Sequence, residues 1–191
     1  MKRREALKKT SLILKSVVLA PGVFSALQAC KSDSSNTKKR LVLTDVQYYL
    51  VNAIADTIIP PTDTLGASQA QVGQFIDLLL KDVFEKDVRK TFLDGLTDFD
   101  KDCKRVTGKT FLSLDEQKRA DYLKKTDMEV MGKEYKEGVP FYYTFKLLTV
   151  DVYFSTEEGV RQNLNYVPVP GEYQGTIEWK EGDRMMIGNN I

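Results

Sequence analysis

The chain is 191 residues long, 42% hydrophobic and 29% charged, with 28 Lys and Arg against 27 Asp and Glu, two Cys and no His. A near-neutral balance without a Lys/Arg cluster interleaved with aromatics excludes a basic nucleic-acid footprint. The lack of histidine excludes Ser-His and Cys-His nucleophile pairs, the common general base, the usual haem axial ligand and most zinc and copper sites.

Residues 1–29 read as a cleaved signal peptide. The basic start "MKRREALKK" runs into an apolar region from Leu12 to Leu27 that is shorter than a membrane span and interrupted by Lys15 and Pro21-Gly22. Leu27-Gln28-Ala29-Cys30 resembles a bacterial lipobox, with Gln28 in place of the usual small or aliphatic residue. Cys30 is the predicted lipidated N-terminus, held on a bilayer because each buried methylene contributes about 0.8 kcal/mol. A secretory signal with an unrelated cysteine, or a short N-terminal helix, are the alternatives. Arg3-Arg4 resemble a twin-arginine export signal; Leu7 and Lys8 fit, and Ala6 stands where Phe is favoured. An ordinary Sec signal also requires basic residues there. The expected location is the periplasmic side of a bacterial membrane, inner or outer. Removing residues 1–29 leaves 22 Lys and Arg against 26 Asp and Glu, a net charge near −4. With Cys30 acylated, Cys103 has no intramolecular partner and is expected as a buried small apolar side chain.

Residues 30–40 form a polar, Ser-rich tether, "CKSDSSNTKKR", and residues 41–191 a helical domain of a length that suits one core. Thr44 is the predicted N-cap of a first helix with Val46, Leu50, Ile54 and Ile58 on one face, stopped by Pro60-Pro61. A second helix is predicted from about Ala70 to Val88, with Val72, Phe75, Ile76, Leu79, Leu80, Val83 and Phe84 as its core stripe. A third runs through Phe92, Leu96, Phe99, Cys103 and Val106 to a stop at Gly108. Ser113 and Glu116 form a capping box for a fourth helix with Leu114, Ala120 and Leu123 on its apolar side. The dense run "VPFYYTFKLLTVDVYFS" is read as a fifth helix, with Pro140 in its first turn and Phe141, Phe145, Leu148 and Val152 on one face. A short helical piece follows around "STEEGVRQNL". Pro168, Pro170, Gly171 and Gly175 break any long element in the C-terminal tail, whose Tyr166, Tyr173 and Trp179 favour order. The fold class is all-α, a single domain of about five helices.

The sequence holds no dinucleotide-binding G-x-G-x-x-G, P-loop or Cys-x-x-Cys-His. Asp98, Asp100 and Asp102 begin like a calcium loop, but Cys103 stands where Gly is needed and Lys109 where Glu is needed, so they read as a solvated helix face. The carboxylates Glu157-Glu158, and Asp56 with Asp77, could do acid/base work, but acids at this density are expected on any surface. No catalytic, cofactor-binding or metal-ligating residue is therefore assigned.

Two stretches are more specific. "IADTIIPPTDTLGASQAQVGQFID" (54–77) and "FKLLTVDVYFSTEEGVRQNLNYVPVPGEYQG" (145–175) carry an A-D-T-I-I-P helix end, a T-D-T-x-G-A loop, an F-I-D, a Y-F-[ST]-x-E-x-G step and a Y-x-P-V-P-G-x-Y-x-G tail. With these features the chain resembles the gluconate 2-dehydrogenase subunit 3 family across the domain. The resemblance implies a small, cofactor-free accessory subunit that stabilises and helps export a flavin-dependent sugar or sugar-acid dehydrogenase. FAD is then expected on a separate large flavoprotein subunit, with haem on a cytochrome c subunit as a further candidate partner. The lipobox departs from the common family plan. Pro60, Pro61, Thr62, Asp63 and Thr64, together with Tyr166, Pro168, Pro170, Gly171, Tyr173 and Trp179, are the candidate partner surface, because Pro-stiffened loops lose little entropy on binding. The alternative for the first loop is that Asp63 and its threonines cap the second helix. The alternative function is a free-standing lipoprotein that stacks a carbohydrate on Trp179 and the tyrosines.

Overall fold

The computed structural model describes residues 40–136, 138–167, 176 and 178–187. Among these, six α-helices, one 3-10 turn and a two-residue parallel bridge make up the regular structure. The expectations at Arg3, Arg4, Cys30, Pro168, Pro170, Gly171 and Tyr173 lie outside the described residues. Among the described residues no helix is long and apolar enough to cross a membrane.

Thr44 opens α1 (Asp45–Ile58) as expected, its hydroxyl accepting the Gln47 N–H while the Gln47 side chain returns to the Thr44 N–H. This box satisfies two of the orphan donors of the first turn. Leu50, Val51, Ile54 and Ala55 are buried. Val46 is 67% exposed, because the inward stripe of α1 begins one turn later than the four-residue spacing suggests.

The second predicted helix is shorter than its pattern. α2 (Val72–Asp82) ends at Val83, and α3 (Lys86–Thr107) starts after a break at Val83–Glu85. At the break both the Val83 and Phe84 N–H groups donate to the Leu79 carbonyl, and the Arg89 guanidinium donates to the carbonyls of Lys81 and Phe84. Satisfying the last carbonyls in this way ends the helix without glycine or proline. Val72, Ile76 and Leu80 are buried, while Phe75 and Val83 face outward. α3 runs as predicted to Gly108, whose φ of 79° is the left-handed geometry favoured at a helix C-terminus. Phe92, Leu96, Phe99 and Cys103 are buried along it, and the Cys103 thiol is free and fully covered.

The expected Ser113–Glu116 capping box does not form. Ser113 closes a 3-10 turn (Phe111–Ser113), its hydroxyl sharing a 2.8 Å hydrogen bond with that of Thr110, and Asp115 caps α4 (Glu116–Val130) by accepting the Lys118 N–H. An Asp directly ahead of the first helical residue is the better placed acceptor. Arg119 donates back to the Phe111 and Leu112 carbonyls and holds the turn down. Leu114, Tyr122 and Leu123 are buried, whereas Ala120 is exposed.

The aromatic run is the predicted helix: α5 (Phe141–Tyr153) buries Tyr142, Phe145, Thr149, Val152 and Tyr153, with Pro140 just ahead of the first turn. α1 packs against α2, α4 and α5, and α5 against α2, α3 and α4, so α5 lies at the centre of the arrangement. Phe99 anchors an aromatic cluster, its ring 5.5 Å from Tyr122 and 5.6 Å from Phe111. Such tilted and edge-on pairs add about 0.5–1.5 kcal/mol each beyond area burial. Thr156 caps α6 (Glu157–Asn163) through the Gly159 N–H. The chain then enters β1 (Asn165–Tyr166), which pairs in parallel with β2 (Met186–Ile187).

Candidate partner interface

Between α1 and α2 the chain makes the loop Pro60–Gln71, and nearly every turn of it is fastened. The Ala67 N–H returns to the Ile59 carbonyl at 3.0 Å, closing the loop at its base. Asp56 on α1 accepts the Ser68 N–H at 2.7 Å, and the Gln69 side chain accepts the Gly66 N–H at 2.9 Å. Two long-range bonds then tie the loop to the other end of the chain. The side-chain amide oxygen of Gln162 on α6 accepts the Leu65 N–H at 2.8 Å, and the buried Tyr153 hydroxyl donates to the Leu65 carbonyl at 2.7 Å. Asn163 donates to that same hydroxyl at 3.1 Å, fixing its direction. Both backbone groups of Leu65 are thus held by the α5–α6 corner.

Gly159 makes the corner possible. A Cβ there would stand 2.0 Å from the Tyr153 carbonyl oxygen, a backbone atom that cannot turn away. The two motif-bearing stretches of the sequence therefore meet in space, with Tyr153 and Gln162 of one holding Leu65 of the other.

Held at both ends, Pro60, Pro61, Thr62 and Asp63 are exposed and Thr64 is partly covered. The Thr62 hydroxyl donates to Asp63, the Thr62 N–H to the Thr64 carbonyl, and the Thr64 N–H to the Thr62 hydroxyl. Asp63 does not cap α2. The turn ahead of α2 is instead held by Asp56 and Gln69, and Gln71 adopts a left-handed conformation before the first helical residue. Tyr166, four residues beyond Gln162, is 51% exposed. Trp179 is 64% exposed and, with Leu164, Asn165 and Arg184, lines an open depression of about 760 Å³ beside β1.

The carboxylates considered for chemistry hold structure. Asp77, only 4% exposed, accepts the N–H groups of Leu41, Val42 and Leu43 at 2.8–2.9 Å and so fastens the start of the domain to α2. Asp100 accepts the Phe111 N–H, Asp98 pairs with Lys101, Asp102 accepts from Arg105 and Tyr122, and Glu157 pairs with Arg161. Sequence reasoning missed the roles of Asp77, Tyr153 and Gln162. The F-I-D and Y-F-[ST]-x-E-x-G patterns pointed to the first two, but their partners lie 34 to 36 and 88 residues away. What the arrangement offers is a pre-ordered, exposed polar loop, suited to docking a protein surface.

Comparison with known proteins supplies one match. The profile of the family described as Gluconate 2-dehydrogenase subunit 3 matches residues 45–171, from the start of α1 to beyond β1. No curated protein and no solved structure matches the chain.

Proposed function

The chain belongs to the gluconate 2-dehydrogenase subunit 3 family, and we propose that it is the non-catalytic small subunit that stabilises and helps export a flavin-dependent sugar or sugar-acid dehydrogenase. Membership supports an accessory subunit of a dehydrogenase complex. The observation that carries the finer reading is the Leu65 latch, which brings both motif-bearing stretches together to present an ordered, exposed Pro60–Asp63 turn. A loop already ordered loses little conformational entropy when a partner docks. In this reading FAD sits on the large subunit, haem on a cytochrome c subunit, residues 1–29 direct export, and lipid on Cys30 adds attachment at the periplasmic face of the membrane.

The test is to export a flavoprotein large subunit of such a dehydrogenase with and without this chain and measure membrane-bound sugar dehydrogenase activity. The expected result is an active, membrane-bound enzyme only when both are present. Full yield and activity of the large subunit alone removes the subunit reading. The carbohydrate-binding alternative rests on the depression at Trp179, and a change of tryptophan fluorescence on adding sugar to the purified chain would favour it.

A further inference from the structure

On the face formed by α3 and α5, a groove of about 600 Å³ runs between the helices. Its apolar lining comes from Phe84, Val88 and Phe92 on one side and Phe141, Leu147 and Leu148 on the other. Val88 and Leu147 are 51% and 43% exposed, so apolar side chains of the lining reach solvent. Contiguous exposed apolar surface on a small domain marks an interaction site when polar groups rim it. Here the charged groups of the lining are all acidic: Asp94 and Asp98 on α3 and Asp151 on α5. Lys90 and Lys101 pair with Asp94 and Asp98 at 2.6 and 2.8 Å, but both pairs are solvent-exposed and worth little, so an incoming cation can exchange with them.

An acidic rim around an apolar floor selects for its complement. We propose that this groove receives an amphipathic helix of the partner subunit whose apolar face fills the floor and whose flanking Lys and Arg meet Asp94, Asp98 and Asp151. The inference rests on the subunit reading and adds a second docking surface to the Pro60–Asp63 loop. A helix in a groove anchors through apolar side chains at helical spacing, while the charges set orientation and exclude acidic competitors.

The probe is a fluorescent synthetic helical peptide with Leu at helical spacing and Lys on its remaining faces, titrated against the full chain by anisotropy. Its counterpart carries the same Leu pattern with Glu for Lys. The Lys peptide is expected to bind at least about tenfold more tightly than the Glu peptide. Val88→Gln with Leu147→Gln, at exposed positions that spare the core, is expected to weaken the Lys peptide by a similar factor, as is Asp94→Asn with Asp98→Asn and Asp151→Asn. Circular dichroism confirms that both variants keep the fold, and Val88→Thr with Leu147→Thr replaces the first if it does not.

Equal binding of the two peptides overturns the proposal. Loss in the Asn variant alone means diffuse charge attraction and overturns the groove, and loss in the Gln variant alone overturns the cationic occupant. Co-purification with the co-expressed flavoprotein is scored separately. A complex that forms unaltered with the Gln variant leaves the subunit reading standing and removes the groove as its docking site.

Discussion

At the scale of single residues, Asp77 shows how a side chain suited to catalysis is committed to structure. Its two oxygens accept three N–H groups from Leu41, Val42 and Leu43. Asp77→Asn replaces one acceptor with a donor that faces donors. Leaving buried N–H groups unpaired costs about 1–3 kcal/mol each, so the urea midpoint is expected to fall by an amount worth about 2–3 kcal/mol. A second residue-scale prediction concerns alkaline pH. Burial, reinforced by the nearby Asp102 and Asp127 carboxylates respectively, pushes the Tyr122 and Tyr142 phenols up, and burial likewise pushes up the Cys103 thiol. These groups resist ionisation in the folded chain more than in the unfolded one. Their stabilisation is therefore complete below the unfolded values and is lost as pH rises toward the folded ones, beginning near about pH 9 and steepening above about pH 10. Tyr122→Phe with Tyr142→Phe is expected to cost about 1 kcal/mol per lost hydrogen bond at neutral pH and to flatten the stability profile above about pH 10. Thermal melts across pH measure both, and an unflattened profile would show that the phenols are not the cause.

At the scale of elements, the sequence was legible where local chemistry decides and opaque where distant partners do. Thr44 and Gly108 act within one turn of themselves, so both helix ends were readable. The all-α class and the helical nature of Phe141–Tyr153 followed from periodicity and length alone. The Val83–Glu85 break was not readable, because a continuous apolar pattern crosses it and the Arg89 side chain that satisfies it gives no pattern. The candidate loop was readable as a stiff polar segment from Pro60-Pro61, but its latch was not, since Leu65 offers only backbone groups to Tyr153 and Gln162. That latch carries the element-scale prediction. Tyr153→Phe with Gln162→Ala removes three hydrogen bonds, two of them to Leu65 and one from Asn163, a loss of about 3 kcal/mol, and leaves the helix-helix packing in place. Far-ultraviolet circular dichroism is expected to be unchanged, while limited proteolysis becomes faster within Pro60–Gln71 and co-purification with the flavoprotein falls. Unchanged proteolysis would mean that Asp56 and Gln69 suffice to order the loop.

At the scale of the whole molecule, the described part of the C-terminal tail adds exposed docking surface without adding to the buried core. Among the described residues, the buried hydrophobic side chains run from Leu43 to Tyr153, and two of the exposed aromatics, Tyr166 and Trp179, come later. The described residues after Asn163 make few polar bonds to the helices. Among these residues the bonds to the helices are 2.9 Å from the Leu164 N–H to the Val160 carbonyl and a long 3.4 Å from Arg184 to the Arg161 carbonyl, while the β1–β2 bridge and the 2.9 Å bond from the Asn165 N–H to the Met185 carbonyl lie within the segment. Among the described residues, deleting 166–191 removes polar ties worth about 1–2 kcal/mol and no buried hydrophobic side chain, and Tm is expected to fall by only a few degrees with helicity retained. The complex should respond more strongly. Exposed Trp and Tyr are typical anchors whose loss costs about 2 kcal/mol or more at an interface, and interface losses act mainly on dissociation. Surface-bound flavoprotein is thus expected to leave the truncated chain about thirtyfold faster than the intact one, with association little changed. A truncation that unfolds the helices would instead show that the tail belongs to the core, and an unchanged dissociation rate would confine docking to the Pro60–Asp63 loop and the acidic groove.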